Sequence, residues 1–238
     1  MLDSSPRVIL VQNIGIFCVG DNLKAAKIAG DLTETNARVI SSVEETSKYK
    51  FISKKDIFDV EYWSLEQAKI KKETKELAGN VVVITGAFGK IGTATYKLFK
   101  KYGAEVVLID NNRKKVTEMS KKINDVCIYC DVTNKESVKK AFNLISSKFG
   151  GIDILISNAG TALGGPIAEV DDKILRKSFE DNFFSHQNCA AEATKIMKAQ
   201  NIEGCLLFNI SKQSVNPGKN FGPYGLPKSA LLNLCKQY

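Results

Sequence analysis

The sequence predicts an α/β fold, a doubly wound parallel sheet with helices on both faces, preceded by a small α+β extension. From residue 80 onward, short apolar β-branched runs alternate with stretches of helical periodicity, which is the pattern of parallel strands joined by right-handed crossovers. In addition, a glycine-rich turn joins the first of these strands to the first helix. We place the extension at residues 1–75 and the main domain at residues 76–238.

The extension contains two short apolar runs followed by segments with helical patterns. Its predicted elements are strands at residues 7–12 and 16–19, a helix at residues 22–46 capped by Asp21, and a helix that begins at a capping box of Ser64 and Gln67.

The stretch at residues 80–110 reads strand, glycine turn, helix, strand and acid. Gly86 allows a tight turn, Gly89 allows the backbone to approach a pyrophosphate, and Gly92 allows the helix to pack closely on the strand. The free N–H groups of the helix N-terminus favour phosphate. Asp110 is placed to accept hydrogen bonds from both ribose hydroxyls and to repel a 2′-phosphate, so NAD is predicted rather than NADP. For the glycines alone, the alternative is a similar sheet without a cofactor.

The alternation of strands and helices continues to the end of the chain. The predicted elements are strands at residues 105–109, 126–129, 152–156 and 205–210, a helix with a capping box of Thr133 and Glu136, a helix at residues 171–200, and a helix from residue 224.

Tyr224 and Lys228 are four residues apart and therefore share one helix face. A nearby ammonium stabilises the tyrosinate form of a phenol, so Tyr224 is a candidate general base for a substrate hydroxyl, or an acid in the reverse direction. Lys228 is also a candidate to hold the nicotinamide ribose. Ser211, at the end of a predicted strand, is a candidate to hydrogen-bond the substrate oxygen. Taken alone, the tyrosine and lysine would be an exposed pair.

Five motifs in chain order make residues 80–238 similar to the short-chain dehydrogenase/reductase family. They are the glycine turn Thr85–Gly92, the adenine-pocket pair Asp131–Val132, the motif Asn158-Ala159-Gly160, Ser211, and the YxxxK motif of Tyr224 and Lys228. The resemblance implies a Rossmann-like fold, NAD as cofactor, and Asn182, Ser211, Tyr224 and Lys228 as catalytic residues. Asn182 would hold a water that links the lysine to solvent. The implied cofactor-binding residues are Gly86, Gly89, Lys90, Ile91, Gly92, Asp110, Asp131, Val132, Asn158, Ala159, Gly160, Tyr224 and Lys228.

The sequence departs from the family pattern in two places. Lys90 stands where the commoner turn has its middle glycine, and it either adds a charge near the pyrophosphate or points to solvent. The sequence also ends 14 residues after Tyr224, where the family continues with a substrate-covering loop and further strands. We therefore expect the native chain to continue past Tyr238, and the apolar run at residues 205–210 to be an uncovered edge strand here. We also expect very low turnover by the 238-residue chain, even if NAD binds, because the substrate pocket would lack its lid.

The extension resembles the C-terminal end of a class II aldolase module. This module is fused in front of the dehydrogenase in bifunctional rhamnulose-phosphate aldolase/dehydrogenases, and the zinc-binding histidines of the aldolase have no counterpart here. The two resemblances imply oxidation or reduction of a small hydroxy-aldehyde or sugar-derived alcohol, such as lactaldehyde, in rhamnose metabolism. The alternative is a non-catalytic NAD-binding or interaction fragment.

Composition excludes several classes of function. The net charge is +8, but the lysines are scattered in pairs among acids, so no nucleic-acid stripe is predicted. The sequence has no apolar run near 18 residues, so no membrane span is predicted. A basic patch created by folding is the alternative. The expected protein is cytoplasmic, acts on a small molecule, and forms a homo-oligomer, a dimer or tetramer, when complete.

The cysteines are predicted to be six buried free thiols. Cys127 and Cys130 have redox-motif spacing, but residues three apart in a strand point to opposite faces, which argues against a disulfide or a shared metal. Because His186 is the single histidine, the chain cannot form a zinc site of several histidines, and no metal site is predicted.

Overall fold

A computed structural model describes residues 6–65 and 75–238 of the chain. It divides the chain into two compact units, one that ends at Gly79 and one from Asn80 to Tyr238.

The N-terminal unit contains a hairpin and two helices within its described residues. Strands β1 (Val8–Val11) and β2 (Gly15–Cys18) pair antiparallel, and helices α1 (Leu23–Glu44) and α2 (Lys54–Glu61) follow. None of the described residues before Gly79 is buried, so this part of the unit has no core of its own.

The N-cap of α1 differs from the predicted one. Asn22 caps α1, because its side chain accepts a hydrogen bond from the backbone N–H of Ala25. The prediction of Asp21 as the cap is wrong, because its carboxylate accepts a hydrogen bond from Arg7 at 3.0 Å. The proposed capping box with Gln67 extends beyond the described residues.

The C-terminal unit is built on a five-stranded parallel sheet, which confirms the predicted fold class. Its strands stand in the order β5-β4-β3-β6-β7, and every pairing in the sheet is parallel. The strands are β3 (Val81–Thr85), β4 (Glu105–Asp110), β5 (Val126–Tyr129), β6 (Ile154–Ser157) and β7 (Cys205–Phe208). The order reverses at β3, and the carboxyl ends of strands at such a point form a ligand-binding crevice.

Helices flank this sheet. They are α3 (Lys90–Lys101), α4 (Arg113–Lys122), α5 (Lys135–Phe149), α6 (Asp172–Phe179), α7 (Ser185–Gln200) and α8 (Gly222–Cys235). On one face, α5 and α7 bury the largest part of the core against the strands, with Phe142 and Ile145 fully buried. This packing holds the carboxyl ends of the strands in place.

Two predicted helix features are corrected by the structure. Asn134 caps α5 by accepting from the backbone N–H of Ser137, whereas the hydroxyl of Thr133 donates to Asp131. The predicted helix at residues 171–200 is interrupted, since the segment Glu180–Phe184 between α6 and α7 is π-helical. Such segments occur frequently at functional sites.

The thiols differ from expectation. All six cysteines are free, but only Cys130 and Cys189 are buried. Cys205 and Cys235 are exposed, because the first lies on the edge strand β7 and the second ends α8. The prediction of six buried thiols is therefore wrong.

Candidate active site

A cleft of about 500 Å³ opens at the carboxyl ends of the parallel strands. It brings together all of the predicted site residues except Gly92, Asn182 and Ser211. Its lining consists of Gly86, Gly89, Lys90, Ile91, Asp110, Asn111, Cys130, Asp131, Val132, Thr133, Asn158, Ala159, Gly160, Thr161, Ala162, Asp181, Asn209, Tyr224 and Lys228.

The glycine turn packs too closely for larger residues. Gly86 has a φ of +61°, and a Cβ there would lie 2.9 Å from the Cα of Ala159. Gly92 is buried in α3, and a Cβ there would lie 2.7 Å from the Cα of Ala87. Both glycines therefore bring α3 and the turn against the strand ends.

The N-terminus of α3 faces the cleft with no side-chain cap, and Gly89 stands at the cap position. The first N–H groups of a helix have no intrahelical acceptor and carry a partial positive charge. Lys90 is exposed and also lines the cleft. This arrangement suits the phosphates of a dinucleotide.

Asp110 lies at the end of β4, and its carboxylate is held by two backbone groups. One oxygen accepts from the N–H of Phe88 at 3.1 Å, and the other accepts from the N–H of Asn112 at 3.0 Å. Each carboxylate oxygen retains acceptor capacity for an outside hydroxyl group.

The loop after β5 is also fixed by hydrogen bonds. The carboxylate of Asp131 accepts from the N–H and the hydroxyl of Thr133, at 3.0 and 2.7 Å. The side chain of Asn188, on α7, donates to the backbone oxygen of Val132 at 3.1 Å. The wall at Asp131 and Val132 is therefore rigidly placed.

Asn158 joins three strand ends. Its amide donates to the backbone oxygens of Thr85 and Gly86 at 3.0 and 3.2 Å. Its carbonyl oxygen accepts from the side chain of Asn209 at 2.8 Å. The residue therefore acts as a brace for the floor of the cleft, between β3, β6 and β7.

Tyr224 and Lys228 lie on one face of α8, with the ammonium 5.8 Å from the centroid of the phenol ring. Both line the cleft, and Lys228 is only 3% exposed. Burial lowers the pKa of Lys228 to about 8. Its Nζ donates to the backbone oxygen of Asn209 at 3.0 Å and contacts Nε2 of His186 at 3.2 Å.

His186 and Asn209 are site residues that the sequence analysis missed. His186 is 1% exposed, and its Nδ1 lies 2.7 Å from the hydroxyl of Ser157. Burial, and then the charge of Lys228, lower the pKa of His186 to about 3. Its position four residues after Asn182 was the available signal, because residues at this spacing share a helix face.

Asn182 lies in the π-helical segment and is fully buried. Its amide donates to the backbone oxygen of Thr161 at 2.7 Å, and its carbonyl oxygen accepts from the N–H of Thr161 at 3.2 Å. A Cβ on Gly160 would lie 2.7 Å from that carbonyl oxygen and 3.6 Å from Nζ of Lys228. Asn182 therefore stands behind the cleft wall, and its link to a bound water stays a prediction.

Ser211 caps a short 3₁₀ helix, Lys212–Ser214, by accepting from the N–H of Gln213 at 3.2 Å. It is outside the residues that line the cleft. Its contact with a substrate oxygen stays a prediction.

Among the described residues, no group of three or more histidine, cysteine, aspartate or glutamate side chains could hold a metal ion. Within the same residues, no helix has both the length and the apolar character that crossing a membrane requires.

Comparison with protein families gives two matches that together cover most of the chain. The family model for short chain dehydrogenases matches residues 80–238. The model for the second domain of class II aldolases matches residues 1–70, in agreement with the resemblance of the extension.

Similar proteins extend well beyond the length of this chain. The uncharacterized oxidoreductase YuxG of Bacillus subtilis (strain 168) is 31% identical over 245 residues, which cover 99% of this chain and 36% of YuxG. Short chain aldehyde dehydrogenase 1 of Euphorbia lathyris is 36% identical over 169 residues, 68% of this chain and 58% of the relative. Among solved structures, NAD⁺-bound xylitol dehydrogenase has a TM-score of 0.62 and 27% identity, covering 68% of this chain and 64% of that one.

Proposed function

The chain belongs to the short-chain dehydrogenase family, and on that premise we propose that it is an NAD-dependent oxidoreductase for a small hydroxy-aldehyde or sugar-derived alcohol. The observation that carries this proposal is the single cleft that holds Asp110, the uncapped N-terminus of α3 and the pair of Tyr224 and Lys228. When bound, NAD supplies the group that accepts or donates hydride. The residues of the chain bind, orient and move protons.

The residues that line the cleft fit a dinucleotide with two free ribose hydroxyls. The first N–H groups of α3 would hold the pyrophosphate, and the carboxylate of Asp110 would accept from the hydroxyls. A 2′-phosphate would bring negative charge to Asp110, so binding of NADP is expected to be weaker. The wall at Asp131 and Val132 would contact the adenine.

Tyr224 carries the proton transfer in this proposal. Its phenol takes a proton from a substrate hydroxyl, or returns one to a carbonyl, as a positioned general acid or base. The ammonium of Lys228, on the same face of α8, stabilises the tyrosinate and binds the nicotinamide ribose. Ser211 and Asn182 would support the substrate oxygen and a bound water, respectively.

Two of the similar proteins support the proposed substrate class. The relative from Euphorbia lathyris is named an aldehyde dehydrogenase, and the similar structure is named a xylitol dehydrogenase. The first name refers to an aldehyde and the second to a polyol. The aldolase-type segment at residues 1–70 supports a short hydroxy-aldehyde. Lactaldehyde, and with it a role in rhamnose metabolism, is the specific proposal.

A second candidate function is a non-catalytic NAD-binding or interaction module. The position of Ser211 outside the cleft lining favours it, because a catalytic serine has to reach the substrate oxygen.

One experiment separates the two candidates. Binding is measured by titrating NADH with the 238-residue chain and following the fluorescence of NADH. Turnover is then measured from the absorbance of NADH with lactaldehyde, xylitol and related small aldehydes and alcohols. Binding with turnover supports the oxidoreductase. Binding without turnover supports the second candidate as an NAD-binding module, and absence of binding contradicts the oxidoreductase and leaves the interaction module.

Assembly and location are further proposals. A cytoplasmic homo-oligomer, a dimer or tetramer, would pair through the helical stretch of α6 and α7 and through α8. Light scattering on purified protein measures the assembly, and a monomeric mass would contradict it.

A further inference from the structure

Within the described residues, no carboxylate pairs with the buried charge of Lys228. None of the ion pairs among the described residues includes it. The neighbours of its ammonium are the backbone oxygen of Asn209, the imidazole of His186 on α7, and the phenol ring of Tyr224 on its own helix. The charge therefore depends on two neutral acceptors, one of them a histidine.

The contact with Lys228 determines which nitrogen of His186 carries a proton. An ammonium has donors and no acceptor, so Nε2 at 3.2 Å must present its lone pair. A neutral imidazole then has its proton on Nδ1, which donates to the hydroxyl of Ser157 at 2.7 Å. The hydroxyl of Ser157 can therefore hold this tautomer by accepting the Nδ1 proton.

The two acceptors also set the direction of the ammonium. A lysine has three N–H donors, and Asn209 and His186 take two of them on the inner side. The third is left for the cleft, which Lys228 lines together with Tyr224. We propose that His186, with its Nδ1 proton accepted by Ser157, is a positioning residue that turns this third N–H toward the ribose of the cofactor and keeps the ammonium beside Tyr224. The inference rests on the proposed function, since that function supplies the ribose and the role of Tyr224.

The burial of the pair argues for orientation rather than proton conduction. His186 and Ser157 are each 1% exposed, so the chain of contacts from Lys228 runs inward to the end of β6 and not to solvent. Both nitrogens of the buried imidazole have partners, Ser157 at Nδ1 and Lys228 at Nε2, so the orientation of the ring is fixed between them.

Two substitutions of similar polarity separate the two contacts. In His186→Gln, the carboxamide reaches as far as the position of Nε2, so its oxygen can still accept a hydrogen bond from Lys228. In His186→Asn, the carboxamide reaches only as far as the position of Nδ1, so the contact with Ser157 is kept and the contact with Lys228 is lost. Ser157→Ala removes the acceptor of the Nδ1 proton. Thermal unfolding of each variant shows whether it is folded.

The first readout does not need a cofactor. The titration of Lys228 is followed by NMR on protein with ¹³C-labelled lysine, assigned by comparison with Lys228→Arg. We expect the midpoint of His186→Asn to fall by about one pH unit, because an acceptor that stabilises the ammonium is lost. His186→Gln should stay near the wild type, and Ser157→Ala should fall in the same direction as His186→Asn. Equal midpoints in wild type, His186→Asn and His186→Gln would overturn the proposal.

The second readout is the affinity for NADH, measured by fluorescence. His186→Asn should raise Kd about tenfold, the loss expected for one charged hydrogen bond, and His186→Gln by no more than about twofold. The titration midpoint of Lys228 could fall only in His186→Asn while the Kd of this variant for NADH equals that of the wild type. This result would overturn the proposal that the third N–H points at the ribose. If wild-type protein binds no NADH but the midpoint shifts as expected, the proposed function fails and the contact of His186 with Lys228 stands.

Discussion

The ammonium of Lys228 donates a hydrogen bond of 3.0 Å to the backbone oxygen of Asn209. This bond fastens helix α8 to the end of strand β7, at the floor of the cleft. Because the side chain of Asn209 also donates to Asn158, the lysine and the central strand ends belong to one hydrogen-bonded network. A charged group held this way affects both the stability of the fold and the chemistry of the cleft.

The buried lysine makes stability depend on alkaline pH. The pKa of Lys228 is lowered by burial from 10.5 to about 8, so the unfolded chain holds this proton more tightly between those values. The free energy of unfolding should therefore rise with pH across this interval, by about 3 kcal/mol from this group. Burial raises the pKa of the Cys130 and Cys189 thiols, which opposes this rise in the alkaline part of the interval. The free energy of unfolding of the wild type minus that of Lys228→Met, measured by urea unfolding at several pH values, should therefore rise with pH. Lys97→Met, at an exposed lysine of α3, is the control and should follow the wild type at every pH.

Asp110 should decide between the two nicotinamide cofactors. In the wild type NAD should bind more tightly than NADP, and Asp110→Ala should narrow the gap because the carboxylate no longer repels a 2′-phosphate. NAD itself should bind about tenfold less tightly once its acceptor is lost. Fluorescence titration with NADH and NADPH measures both, with Glu118→Ala, an exposed acid of α4, as the control. Equal affinities in the wild type would rule out the role given to Asp110.

Tyr224→Phe should abolish turnover and leave NADH affinity nearly unchanged. The phenol oxygen moves the proton, whereas the ring only packs, and general acid–base groups contribute about 100-fold or more. Steady-state rates with the best aldehyde or alcohol, together with Kd for NADH, test this. If the variant retained more than about a tenth of the wild-type rate, Tyr224 would not be the general base.

The third glycine of the turn should matter for folding more than the second. A Cβ on Gly92 would meet the backbone of Ala87 at 2.7 Å, whereas a Cβ on Gly89 would meet only the backbone oxygen of Gly86, at 3.4 Å. Gly92→Ala should therefore lower the free energy of unfolding by about 1–3 kcal/mol. Gly89→Ala, the matched control, should change it much less. Urea denaturation of both variants measures the difference, and equal losses would contradict the packing argument.

Local spacing determined much of this protein. The alternation of apolar runs and helical patterns from residue 80 predicted a parallel sheet, and the structure has one. The turn from Gly86 to Gly92 and the i, i+4 spacing of Tyr224 and Lys228 were also readable, because their geometry depends on residues close in sequence.

Only the tertiary structure decided which polar groups meet across the fold. His186 and Lys228 are 42 residues apart, and Asn158 and Asn209 are 51 residues apart. Spacing along the sequence therefore does not predict that either pair is in contact. The choice of Asn22 over Asp21 as a cap, and the exposure of Cys205, also depend on neighbours that folding supplies. The physical reason is that a buried donor or acceptor must find a partner wherever the packed chain provides one, whereas strands and turns are specified by the residues within them.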